Sequence, residues 1–575
     1  MPYAHSEAAL PEMEGMSMAR ALRSNLERGS SMGAARRAQW RALGLSDADM
    51  TKPKIAVVNS SSELAICFSH LDGVAAEVKQ AIRAAGGYPF EVRTAAPSDF
   101  VTSVGRRGAY ILPSRDLIAS DIEVQVEGAL LDGMVCLASC DKTTPGQIMA
   151  AGRLNIPTII VVCGYQQSGH YKGEHVDIED VFLKASYLAS GRISLEELEA
   201  MADVAVCSPG VCAGMGTANS MHVAAEALGM TLPGAAPVLA NSPKMFDQAR
   251  RAGERIVQMV WDDLKPRDVI TPASIANAVM AVLALSGSIN CVKHLQAIAA
   301  EAEIDLDVYG LFGEYADRVP LLAAIKPSGD NLIEELEEAG GALAVLKRLE
   351  PLLHTEARTV SGRTIGEILR DVVVRDESVV HTLERPLSRR PSIVIVRGSL
   401  LPGGGIVRLG GVTTRTLRFR GPANIFHSRE EAVAAIEGGD VKPGQVVVLR
   451  GIGVRGGPGM AFTSAVVFSL DGAGLIDDVA VVTEGQVSGL VNRGLVVAEA
   501  SPEAAEGGPL AFVENGDTIA IDVEQRAVDL EVPEDVLARR REQPRSFGST
   551  GERGWLGVYQ RTVQPVHKGA VLGES

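Results

Sequence analysis

The sequence predicts an α/β domain built on a parallel sheet, followed by a second domain of mixed, barrel-like β character. Three observations carry that expectation. Apolar runs at 134–139 and 156–162 are separated by a loop and a helix opening, the strand–loop–helix–strand order of a parallel sheet. From 240 to about 385 the pattern is mostly helical. Beyond a Pro- and Arg-rich stretch at 383–391, short β-like runs recur between glycine-rich turns. A boundary at that stretch divides the chain into an N-terminal arm (1–33), an α/β domain (34–385) and a C-terminal β-barrel-like domain (392–575).

The arm is polar and rich in Met and Ser, so it is expected to be extended. Residues 54–59 read as the first strand, and a loop follows it to Cys67. A helix is predicted over 74–85, because Val74, Val78 and Ile82 recur at every fourth position and Gly86-Gly87 ends it. A second is predicted over 117–131, with Ile118, Ile122, Val126 and Leu130 along one face. The strand at 134–139 leads into Cys140-Asp141-Lys142-Thr143-Thr144-Pro145-Gly146, with Thr144 as cap and Pro145 at the first helical position. The loop 207–220 feeds a helix at 221–228 that stops at Gly229. Further helices are predicted over 273–285 and 331–349, the second interrupted at Gly340-Gly341. In the C-terminal domain, strands are expected at 392–396, 417–419, 446–449, 479–482, 510–513 and 518–523, with helices at 430–437 and 534–542. There is no internal repeat.

Composition narrows the function. With 46% hydrophobic and 22% charged residues, the 575-residue chain has ordinary globular proportions and room for more than one domain. A net charge of −16 argues against a nucleic-acid surface, which needs concentrated Lys and Arg. No apolar run reaches the roughly 18 residues of a membrane span, and the N-terminus has no signal-peptide core. Seven cysteines are too few for a disulfide scaffold, so reduced thiols in the cytoplasm are expected.

Reduced thiols are available to metals. Cys67, Cys140 and Cys212 each sit in a loop after a strand-like run, and three thiolates can hold an iron–sulfur cluster with one iron position open. Against this, cysteine is most often a small buried hydrophobe, and that reading wins for Cys136, Cys163 and Cys291. Cys207 shares a loop with Cys212 and stays ambiguous. Asp99 and Asp141 are candidate oxygen ligands for Mg²⁺, although loop aspartates are commonly turn formers or caps. Lys142 reads by default as half of an ion pair, and His70 and His294 as structural histidines or proton carriers. Gly456-Gly457-Pro458-Gly459-Met460 has the look of a phosphate cradle but lacks the following Lys-Ser/Thr.

Together these motifs resemble the dihydroxy-acid and sugar-acid dehydratases, over roughly residues 34 to 571. The resemblance rests on Leu112-Pro113-Ser114-Arg115-Asp116-Leu117-Ile118-Ala119, on the Cys140 to Gly146 motif, and on Cys212-Ala213-Gly214-Met215-Gly216-Thr217-Ala218-Asn219-Ser220-Met221. It continues in the segment from Glu226 to Gly234, in Gly456 to Met460, in Ser488-Gly489 and in the tail His567-Lys568-Gly569-Ala570-Val571. It implies that Cys67, Cys140 and Cys212 ligate a [2Fe–2S] or [4Fe–4S] cluster, that Asp99 and Asp141 bind Mg²⁺, and that Lys142 is carbamylated. Burial would help the last by favouring the neutral amine. It implies that Ser488 takes the C2 proton of a 2,3-dihydroxy carboxylate, a dihydroxy acid or sugar acid, and that a 2-oxo-3-deoxy acid forms. It also implies a homodimer or dimer of dimers, with the site between domains. The alternative is a noncatalytic iron–sulfur member of the family.

The chain departs from the family pattern at Phe462, where a Mg²⁺-binding Glu is usual. A phenyl ring offers Mg²⁺ no oxygen. Thr483-Glu484-Gly485-Gln486-Val487 replaces the usual segment before Ser488, and Ser286-Gly287-Ser288-Ile289-Asn290 replaces a Gly-Gly-Ser-Thr-Asn pattern. The expectations that follow are Mg²⁺ held by fewer protein ligands and more water, Glu484 as the substitute, or no Mg²⁺.

Overall fold

A computed structural model describes residues 21–410, 417–543, 545–548 and 551–573. Two sheets organise it. The first contains β1 (Lys54–Asn59), β2 (Tyr88–Arg93), β3 (Gly133–Ala138) and β4 (Thr158–Val162), in the order β2-β1-β3-β4, with every pairing parallel. Strands β1, β3 and β4 are buried along their whole length, as continuous apolar runs in a helix-covered parallel sheet must be. A short hairpin, β5 (Gly169–Tyr171) and β6 (Glu174–Val176), lies apart.

The second sheet contains β7 (Ile393–Val396), β8 (Gly404–Arg408), β9 (Arg418–Phe426), β10 (Val446–Leu449), β11 (Ala480–Thr483), β12 (Leu495–Ser501), β13 (Thr518–Asp522) and β14 (Ala527–Glu531). Its order is β14-β13-β9-β10-β11-β12-β8-β7. The four central strands, β9 to β12, run parallel, and the flanking pairs are antiparallel. The two edges meet where Arg397 bridges Ala527, so the sheet nearly closes as a barrel. Alternation along the strands serves two cores. Val446, Val448, Ala480 and Val482 fill the barrel, while Val447, Leu449 and Val481 join the core that also holds the first sheet.

Most expected elements stand, with shifted bounds. The helix starting at Val74 runs over Leu71–Ala84, and the next over Ile111–Val126. The Cys140 motif opens the helix Thr143–Leu154, but Thr144 lies inside it; Lys142 occupies the cap position without a side-chain cap bond. Gly146 marks where this helix crosses Ile111–Val126, because a Cβ there would lie 2.7 Å from the Arg115 carbonyl oxygen. The expected helix at 221–228 begins earlier, as Thr217–Ala227, and Gly340-Gly341 separates Ile333–Ala339 from Gly341–Leu349. The expected strand at 510–513 is instead a 3₁₀ turn, Pro509–Phe512. Strands β2, β5, β6, β8, β12 and β14 and the helix Ser464–Gly472 are not among the expected elements. Of the arm, residues 1–20 lie outside the described residues. The part from 21 docks on the first sheet, where Leu22 is buried and the Ser24 hydroxyl donates to Asp132 at 2.6 Å.

Candidate functional site

Both sheets aim the carboxyl ends of their parallel strands at one cavity, the place where such sheets bind ligands. From the first sheet, the chain leaving β2 brings Asp99 to the cavity and that leaving β3 brings Cys140 and Asp141; Cys67, after β1, and Lys142 are buried and do not line it. From the second, the segment after β9 reaches Arg429, that after β10 reaches Phe462, and that after β11 reaches Ser488. The Phe462 and Ser488 loops are laced together by Thr463 N–H to Gln486 O (2.9 Å) and Gln486 N–H to Ala461 O (3.0 Å). The cavity measures about 290 Å³, and Asp99, Cys140, Asp141, Cys212, Phe462 and Ser488 all line it.

On the sulfur side, Cys67 and Cys140 are buried, Cys212 is half-buried, and all three are free thiols. Cys67 lies in the 3₁₀ turn Ile66–Phe68 rather than in open loop. A hydrogen bond to Cys67, then burial, pushes the Cys140 thiol well above the ordinary range. Burial and then the charge of Asp141 do the same to Cys212. Thiolates here need a cationic partner, which iron supplies. Cys136, Cys163 and Cys291 are fully buried core residues, and Cys207 is exposed with its S–H on Val204 O. His70 binds the Cys163 carbonyl and His294 faces Arg115; neither lines the cavity.

On the oxygen side, the fully buried Lys142 ammonium donates to Asp99 Oδ2 at 3.1 Å and lies 3.9 Å from Asp141 Oδ2. Asp99 Oδ1 is buried without a hydrogen-bond partner, as a waiting cation ligand would be. Burial, then the charge of Asp99, raises Asp141 to about 7. Two carboxylates, one of them with an orphaned oxygen, fit Mg²⁺, which commonly takes one or two carboxylates and keeps its waters. Lys142 behaves otherwise than expected. Burial alone would lower its pKa, but the charges of Asp99 and Asp141 outweigh burial and raise it. The Phe462 ring stands with its centroid 5.7 Å from the Lys142 ammonium, a cation–π arrangement. Glu484 does not replace the missing acid. Its Oε2 accepts Gly451 N–H at 2.6 Å and its Oε1 accepts Ala504 N–H at 2.5 Å, away from the cavity.

Ser488 opens onto the cavity; its N–H donates to Ser464 Oγ at 2.8 Å, and its Oγ accepts the Leu490 N–H at 3.2 Å. The glycine loop beside it is no phosphate cradle. Glu503 takes the N–H groups of Arg455 (2.8 Å) and Gly456 (2.9 Å), and those of Gly457, Gly459 and Met460 bond within the loop. Sequence reasoning missed the rest of the wall: Phe100, Val104, Phe182 and Leu490 make it apolar, and Arg429 is the one cation among the described lining residues. They come from separate elements and form no motif. A second acidic group, His175, Asp177 and Asp180, is already met by Lys326, whose ammonium lies 3.0 Å from Asp180 and 3.2 Å from His175 Nδ1.

Comparison with known proteins shows the family to which the chain belongs. Residues 52–368 match the dihydroxy-acid/6-phosphogluconate dehydratase N-terminal family, and residues 378–570 match its C-terminal counterpart. The chain belongs to this dehydratase family. It is 41% identical to a dihydroxy-acid dehydratase of Methanococcoides burtonii over 93% of this chain and 97% of that one. It is 42% identical to that of Pyrococcus abyssi (94% and 97%), and 39% identical to that of Caldicellulosiruptor saccharolyticus (96% and 100%). The protein is thus a dehydratase, a hydro-lyase. Among the described residues, no helix is long and apolar enough to cross a membrane.

Proposed function

We propose that this dehydratase converts a small aliphatic 2,3-dihydroxy carboxylate to a 2-oxo acid, with Ser488 as base, Cys67, Cys140 and Cys212 as cluster ligands, and Asp99 and Asp141 as Mg²⁺ ligands. The observation that carries this reading is the shared cavity: Ser488 faces Cys140, Cys212, Asp99 and Asp141 across a wall of Phe100, Val104, Phe182, Phe462 and Leu490. An apolar wall suits an alkyl tail and leaves the extra hydroxyls of a sugar acid without partners. A volume of about 290 Å³ suits a small acid. The relatives' printed name, dihydroxy-acid dehydratase, agrees.

Ser488 Oγ takes the C2 proton as the C3–O bond breaks, and that proton balances the leaving hydroxyl as water; the enol then gains a proton at C3 and loses its O–H proton, which leaves the 2-oxo acid. The Leu490 N–H on Ser488 Oγ favours the deprotonated oxygen. Arg429, the cation among the described lining residues, is the candidate partner of the substrate carboxylate; in the free protein its guanidinium rests on Glu430 Oε1 at 2.6 Å. When bound, a cluster with an open iron position supplies a Lewis acid for the leaving hydroxyl. Asp99 and Asp141 would hold Mg²⁺, and with their charge so engaged Lys142 would lose its proton more readily, as carbamylation of that amine requires.

The reading carries three further proposals. The chain divides near 383–391, the assembly is a homodimer or dimer of dimers, and the seven free thiols suit the reducing cytoplasm. The test of activity is 2-oxo acid formation by anaerobically cluster-loaded protein over aliphatic dihydroxy acids and sugar acids. Turnover of the aliphatic acids in preference to sugar acids is expected. No turnover of any, or a preference for sugar acids, would overturn the reading.

A further inference from the structure

The carbonyl groups of Val487 and Gly489, the two residues flanking Ser488, are held by buried side chains from other parts of the chain. On one side, the Val487 carbonyl accepts Asn290 Nδ2–H at 3.3 Å. Asn290 Oδ1 in turn accepts from the Lys293 ammonium, and Lys293 is paired with Glu499. Asn290, Lys293 and Glu499 are all completely buried. On the other side, the Gly489 carbonyl accepts from Arg408 Nη1, and Arg408 Nη2 also donates to the Ser286 carbonyl and to Ser328 Oγ.

Stability is a poor explanation for the Lys293–Glu499 pair. A buried ion pair is often replaceable by apolar residues at no cost, because desolvation cancels much of its attraction. Its effect on Asn290 is specific. An ammonium only donates, so Asn290 must turn its Oδ1 toward Lys293. Its Nδ2 then faces two acceptors, the Val487 carbonyl and Thr217 Oγ1 at 2.9 Å. Thr217 Oγ1 also hydrogen-bonds to Ser288 Oγ at 2.9 Å, and Thr217 lines the cavity together with Asp141. One oriented amide therefore ties the Ser488 loop to Thr217 in the cavity wall.

We infer that Lys293, Glu499, Asn290 and Arg408 form a clamp that positions Ser488 for proton abstraction. They are positioning residues, and none lines the cavity. The inference rests on the proposed role of Ser488 for its kinetic consequences, but not for its structural one.

Asn290→Leu removes the amide and leaves the Lys293–Glu499 pair; the double variant Lys293→Met/Glu499→Gln removes the pair and leaves the amide free to turn. Each is compared with wild type as cluster-loaded protein. Expected in both is a fall in kcat on the order of 100-fold with KM and iron content nearly unchanged, since small misplacements of a reacting group are costly. A larger primary isotope effect with C2-deuterated substrate is also expected. Independently of any activity, amide hydrogen exchange across 485–490 should quicken about tenfold in Asn290→Leu. Unchanged exchange and unchanged kcat in Asn290→Leu would overturn the clamp. If wild type dehydrates no dihydroxy acid, the proposed function fails, and the exchange result alone decides the clamp.

Discussion

The two sheets present the same architectural feature and put different chemistry on it. Each ends a set of parallel strands at the cavity. The first sheet's loops bring sulfur, carboxylate and amine: Cys67, Cys140, Asp99, Asp141 and Lys142. The second sheet's loops bring a hydroxyl, a guanidinium and an aromatic ring: Ser488, Arg429 and Phe462. In the proposed function, the first rim holds the inorganic groups and the second holds and deprotonates the organic acid. The parallel strand end fixes where chemistry happens; the residues after it decide which chemistry.

This division of labour can be broken from either side. Cys140→Ser should strip the protein of iron and sulfide and abolish activity, since oxygen is a poor substitute for thiolate toward a cluster. Elemental analysis and visible absorption read it. Ser488→Ala should keep the iron while kcat falls on the order of 10²- to 10⁴-fold. Iron loss in the second variant would show that the rims are not separate in duty. Next in size, Phe462→Glu adds an oxygen toward Lys142 and should tighten Mg²⁺ roughly tenfold or more, measured by the Mg²⁺ dependence of the rate. Arg429→Gln should raise KM about tenfold with little change in kcat, as expected for one charge-assisted bond to the substrate carboxylate.

The smallest effect concerns how the second rim is held. Burial first, and for Glu484 the neighbouring Glu503 next, raise Glu484 to about 8 and Glu503 to about 7 from the usual 4.5. These carboxyls grip the backbone of the segments leading to Phe462 and following β12. With folded pKa values above the unfolded ones, the native state binds more protons between them. These groups therefore stabilise the fold most below pH 4.5, and that contribution declines as pH rises toward 8. Denaturation midpoints across that range should fall with pH, and Glu503→Gln should flatten the trend.

Much of the first rim was legible in the sequence, because its residues sit in contiguous motifs beside strong apolar runs. The loop carrying Cys140 was placed by such a motif, whereas Ser488, on the second rim, was named only through the resemblance; the structure brings both to one cavity. The second rim was harder to read. Strand β8 begins with Gly404-Gly405, a weak strand signal, and Pro509 turned an apolar run into a 3₁₀ turn. Lys142 shows the limit of local reasoning: burial predicts a neutral amine, but Asp99, 43 residues away in sequence, reverses the sign. Lys293 and Glu499 are 206 residues apart, and periodicity does not announce such a pairing.

The central claim is that one substrate lies between the two rims. The most direct measurement adds an aliphatic 2,3-dihydroxy acid to anaerobic, cluster-loaded Ser488→Ala protein and records the visible spectrum of the cluster together with 2-oxo acid formation. The account predicts a saturable spectral change with almost no product. An unperturbed spectrum, or product at the wild-type rate, would contradict it.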